Sequence, residues 1–158
     1  MNPWQTILWP QFGAAIDMLE NAMRACPEDL WNRDPRFGHL TYHALFFLDL
    51  YLMGSLDGFA PPPPFTHDEL DRNAPRPLYS QAQLQMYLDY CRAKGRDRIS
   101  AMTLTEAFER CGFKWVDGTV AELHLYNMRH VQHHAAQLNL LLRQTIDSAP
   151  RWVFKAAS

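Results

Sequence analysis

The 158-residue sequence has no run of about 18 apolar residues, the length a helix needs to cross the hydrocarbon core of a bilayer. Its first residues, Met1-Asn2-Pro3-Trp4, carry no charged segment leading into an apolar one, so no secretory leader is expected. Cysteine is sparse. Cys26, Cys91 and Cys111 are odd in number and far apart, and no pair makes C-x-x-C. A disulfide framework is therefore not expected, and a reducing cytoplasmic compartment is. Glycine is scarce at 7 residues and forms neither G-x-G-x-x-G nor a phosphate-loop pattern, which removes the common nucleotide-binding readings. An excess of one charge is lacking too: 15 Lys and Arg face 17 Asp and Glu. Nothing resembles the basic stripe that nucleic acid requires. The densest basic stretch, Arg92, Lys94, Arg96 and Arg98, contains Asp97 and reads as the solvated side of a helix.

What is present is 47% hydrophobic and 20% charged, enough to fill a core in one domain spanning residues 1–158. Helical periodicity dominates. A first segment, about Trp4 to Ala25, repeats Ile7, Leu8, Phe12, Ile16, Leu19 and Met23 at three- and four-residue spacing. Pro10 is expected to kink it or to mark its true start, and Cys26-Pro27 to end it. A second segment, about Phe37 to Gly54, is dense in Leu, Phe and Tyr and should be deeply buried, with Gly54 as its stop. An irregular stretch from Leu56 to Tyr79 follows, containing Pro61 to Pro64, which should be extended. Phe59 and Phe65 flank the prolines and could anchor the connection, which is expected either to fold back and shape the rim of a cleft at His43 or to be a rigid spacer far from it. Ser80 and Gln83 make a capping-box pattern opening a third helix to about Met102, with Leu84, Tyr87, Leu88 and Cys91 on one face. After a short turn or two between Thr105 and Cys111, Thr119 and Glu122 make a second capping box. The helix they open runs to about Thr145. No period-two strand appears. The expected fold is an all-α antiparallel four-helix bundle with long connections between helices two and three and between three and four.

Seven histidines stand out, at 39, 43, 67, 124, 130, 133 and 134. His130 and His134 are one helical turn apart and share a face with Leu123, Asn127, Gln137 and Leu141. Two inward imidazoles at that spacing have the geometry of metal ligands. His43, set among bulky apolar residues, is the candidate third ligand. His39, one turn earlier, is its rival or a fourth ligand, and Asp49 is another candidate for the metal shell. His124 and His133 point well away from the pair and are expected not to be ligands. Single core histidines are commonly satisfied without metal, so a plain buried role stands beside the metal reading here. A zincin protease is disfavoured because Val131 stands where H-E-x-x-H needs its glutamate. A di-iron bundle is disfavoured because no Glu-x-x-His occurs.

The stretch from Tyr42-His43-Ala44-Leu45 to Leu50-Tyr51-Leu52, with His130-Val131-Gln132-His133-His134-Ala135-Ala136-Gln137-Leu138, resembles the two signature regions of the DinB-like superfamily. The resemblance implies a four-helix bundle, often homodimeric, with one divalent ion held by His43, His130 and His134. Ala135-Ala136 replaces the usual Arg-Gly, which puts in doubt any role of that arginine in contacting a substrate. Characterised members use the metal to activate a low-molecular-weight thiol, so thiol-dependent S-transfer of a small-molecule substrate is the leading expectation. Zinc or nickel is the expected ion, since imidazole suits several first-row metals. A metal-dependent hydrolase and a non-catalytic bundle with a structural metal are the alternatives. Trp4, Trp9 and Trp152 near the ends of the chain fit a homodimer contact or a cap on the bundle core. No nucleic-acid or membrane partner is expected.

Overall fold

The structure, a computed structural model, describes residues 3–156. Its elements are α1 (Pro3–Ala25), α2 (Glu28–Arg33), α3 (Pro35–Met53), α4 (Gln81–Ala101), α5 (Leu104–Ala107) and α6 (Val120–Ile146). The long helices α1, α3, α4 and α6 pack antiparallel, as the periodicity predicts. Helices α1 and α3 each pack mainly on α4 and α6, so they sit diagonally across the bundle. Among the described residues there is no strand, only an isolated bridge between Arg110 and Thr119. No described helix is long and apolar enough to cross a membrane.

The helix ends follow from their residues. Ser80 and Thr119 each close the expected capping box, with Gln83 and Glu122 reaching back to the cap backbone. Asp34 caps α3 by accepting the Arg36 N–H at 3.1 Å. At its other end Gly54 turns left-handed, with φ 84°, a conformation open to glycine at little cost. Helix α1 runs unbroken through Pro10. The ring removes one donor, while the Pro10 carbonyl accepts the Ala156 N–H at 2.8 Å and pins the C-terminal segment to α1.

Three features differ from the sequence reading. Helix α2 was not expected. It is six residues long and buries Leu30 and Trp31, and the Trp31 indole donates to the Tyr79 carbonyl at 3.1 Å. The proline run is not extended throughout, because it ends in a turn in which the Phe65 N–H donates to the Pro62 carbonyl at 3.0 Å. The basic stretch on α4 is not a solvated face. Arg92 pairs with Asp17 and Glu20 on α1, Lys94 with Asp49 on α3, and Arg98 with Glu106 on α5. Gly95 sits between these pairs, where an added methyl group would stand 3.4 Å from Leu52 and 3.5 Å from Trp9. The glycine weakens helix propensity, and a methyl group there would make ordinary van der Waals contact with both neighbours.

The connection from α3 to α4 returns along the bundle. Phe59 packs edge-on against Phe46, with ring centres 5.2 Å apart, and Phe65 stacks on Tyr87 at 4.7 Å. Tyr79 lies 4.9 Å from both Phe65 and Tyr42. Aromatic pairs of this kind add roughly 0.5–1.5 kcal/mol each beyond burial, enough to hold an irregular segment in place. Of the tryptophans near the ends of the chain, Trp4 and Trp9 pack against the core, and Trp152 is exposed.

Candidate metal centre

Helices α3 and α6 lie side by side and bring their histidines together. One ring nitrogen from each of His43, His130 and His134 falls within 4.8 Å of the others. Among the described residues this is the one such group of His, Cys, Asp or Glu. His130 and His134 place their Nε2 atoms 3.1 Å apart, close to the separation of about 3.4 Å between two nitrogens on a tetrahedral zinc. The His43 ring is 4.7 Å from that of His134 and 5.4 Å from that of His130, centre to centre.

The rings are in the form a metal needs. Burial pushes His130 down to about 3, helped by His134, His43 and His133 nearby. Burial likewise lowers His134 to about 4, with Gln137 pulling slightly back. Both are therefore neutral at physiological pH, and neutral imidazole is the ligating state. The nitrogens away from the cluster are mostly held. His134 Nδ1 meets Gln137 Oε1 at 2.7 Å, and His43 Nδ1 meets Glu69 Oε2 at 3.0 Å. His130 Nδ1 is buried without a partner. Its ring lies against Phe47 and Tyr51, which form an apolar wall.

His43 and His134 line a cleft of about 650 Å³ between α3 and α6. Arg36, His39 and Leu40 continue the α3 side towards its N-terminus, and Leu140 and Leu141 face them from α6. The α3–α4 connection supplies Glu69 and Arg76 to the same cleft. The loop thus reaches the site, but through Glu69 and Arg76 rather than through its prolines. Sequence reasoning missed Glu69, the carboxylate in contact with His43. The nearest sequence signal was a second histidine close by, His67, whose Nε2 lies 3.2 Å from Glu69 Oε1.

The remaining candidates sit elsewhere. Asp49 is buried and engaged by Lys94 and by the Tyr87 hydroxyl at 3.0 Å. His39 borders the cleft but stays outside the cluster. Asn127 donates to the Leu48 carbonyl at 3.1 Å. His133 is exposed, and His124 is buried beside Phe12 with both ring nitrogens unpartnered. Burial lowers His124 to about 4, with Arg98 adding to the effect. Its unfolded value is near 6.5, so the unfolded chain binds the extra proton first as pH falls. Stability from this residue is complete above about pH 6.5 and is lost as pH falls towards 4. In chelator-treated protein, His124→Leu should lose about 2 kcal/mol less than the parent between pH 7 and pH 5. Urea unfolding at both pH values measures this, and equal losses would refute it.

No protein-family model, curated protein or solved structure matches the chain.

Proposed function

We propose that this protein is a metal-dependent enzyme of the thiol S-transferase type, with one divalent ion, zinc or nickel, on His43, His130 and His134. The reading rests on one observation: three imidazoles converge, two of them, His43 and His134, lining a cleft, and no fourth His, Cys, Asp or Glu joins them among the described residues. A structural site is closed by its fourth protein ligand, whereas a catalytic site keeps a position for substrate. The resemblance to the DinB-like superfamily supports the same assignment.

With three neutral ligands, a bound divalent ion keeps its full charge and supplies the acidity that makes a thiol a thiolate at neutral pH. The residues around it favour that route over hydrolysis. A metal-bound water can attack without a protein base, but hydrolysis is usually helped by a free general base beside the attacked bond. The carboxylate on the cleft, Glu69, is already committed to His43, and Asp49 is committed to Lys94. Thiol activation needs no such base. Leu40, Leu140 and Leu141 offer an apolar wall, and Arg36 and Arg76 are mostly exposed at 62% and 60%. This lining suits a small substrate with an apolar body and an anionic group.

The test is to load the protein with cobalt and titrate it with a mercapto-acid and a mercapto-alcohol, following visible absorption. Stoichiometric cobalt and a spectral change with thiol are expected, and the mercapto-acid should bind more tightly. A spectrum that no thiol perturbs, with cobalt still held, would reject the transferase reading.

A further inference from the structure

We propose that Glu69 is a positioning residue for this centre: a carboxylate carried by the α3–α4 connection that fixes the tautomer and orientation of His43. The inference rests on the metal reading above and extends it to the part of the chain with no helical periodicity.

A carboxylate can only accept, so the 3.0 Å contact between Glu69 Oε2 and His43 Nδ1 places the imidazole proton on Nδ1. With Nδ1 engaged by Glu69, Nε2 is the nitrogen left to carry a lone pair for the cluster with His130 and His134. Of the three rings, His43 is the one with a carboxylate behind it. His134 has the neutral Gln137 amide, and the Nδ1 of His130 has no partner. The His43 side chain is 32% exposed, so packing alone does not fix its ring. A carboxylate behind a ligating imidazole orients the ring and raises its basicity, and its removal typically weakens metal binding about 10–100-fold.

Glu69 is itself built in. Its side chain is 6% exposed, His67 Nε2 stands 3.2 Å from its other oxygen, and Arg76 lies 4.0 Å away. Burial alone would raise its carboxyl. The hydrogen bond from His43, with His67 and the Arg76 guanidinium nearby, outweighs that and holds it below the ordinary carboxylate range. The backbone is fixed as well, since the Tyr42 hydroxyl donates to the His67 carbonyl at 2.6 Å. Adjacent residues of α3, Tyr42 and His43, therefore clasp the loop at its backbone and at its carboxylate.

The experiment uses the full chain as wild type, Glu69→Gln and Glu69→Ala. Zinc affinity is measured by competition with a chromophoric chelator, and histidine ring tautomers by nitrogen-detected NMR of the metal-free protein. Wild type should show His43 protonated on Nδ1. Glu69→Ala should weaken zinc about 10–100-fold and let His43 populate the Nε2–H form. Glu69→Gln keeps an acceptor oxygen, so it should restore the tautomer and recover part of the affinity. A purely structural role would not separate the two variants in this way. Wild-type affinity in Glu69→Ala, or an Nε2–H His43 in wild type, overturns the inference. If wild type holds no zinc, nickel or cobalt, the metal reading itself fails and this inference goes with it.

Discussion

Replacing His130 with alanine should abolish stoichiometric metal binding while leaving the helical bundle intact. Structural zinc sites contribute about 10–16 kcal/mol over four ligands, or roughly 3–4 kcal/mol for each. Loss of one ligand then weakens affinity about 10²–10³-fold. His130 is the most informative choice because its ring is half-buried and neutral, pushed down to about 3. Removing it also relieves the crowding of imidazoles that the metal-free protein must tolerate. Metal content after dialysis, with circular dichroism as a folding control, gives the answer. His39→Ala, His124→Ala and His133→Ala should retain one ion per chain, because none of the three belongs to the cluster. Full occupancy in His130→Ala would dismantle the assignment, and loss of metal in any of the controls would redraw the ligand set.

The clustering of His43, His130 and His134 was legible in the sequence because helices impose a strict angular repeat. A four-residue spacing aligns His130 with His134, and the apolar residues around His43 turn it inward. Asp49 is six residues from His43, which is about 120° around the helix, so the same arithmetic places it off the metal face. The capping boxes at Ser80 and Thr119 were equally readable, because each is a local exchange between residues three apart. Glu69 was not readable. It reaches His43 across 26 positions of chain through a segment without period, and no spacing rule predicts where such a loop returns. The pairing of the α4 cations failed for a related reason. Whether Arg92, Lys94 and Arg98 face water depends on the acids of α1, α3 and α5 opposite them, which a single-helix pattern does not contain. Short α2 was hidden because six residues between Pro27 and Asp34 are too few to show a repeat.

The largest expected loss of stability is at Asp49. Its carboxylate is 1% exposed, accepts from the Tyr87 hydroxyl at 3.0 Å and pairs with Lys94, which is itself mostly buried. Asp49→Ala leaves Tyr87, fully buried, and the Lys94 ammonium without their partner at once. Breaking one side of a buried pair costs about 3–5 kcal/mol, because the remaining charge is left uncompensated. For a chain of this size each kcal/mol shifts Tm by about 2–4 °C, so a fall of roughly 10 °C or more is expected. The pair need not be the best solution for that space. Replacing both partners with apolar side chains often recovers the loss, so Asp49→Leu combined with Lys94→Met should regain most of the stability lost in Asp49→Ala. The same variants separate structure from ligation. Measured well below its lowered Tm, Asp49→Ala should still bind one metal ion, because the carboxylate faces α4 and not the histidines. A loss below about 1 kcal/mol in denaturant unfolding would show that the Lys94 pair contributes little. Loss of metal from a folded Asp49→Ala protein would instead place Asp49 within reach of the centre.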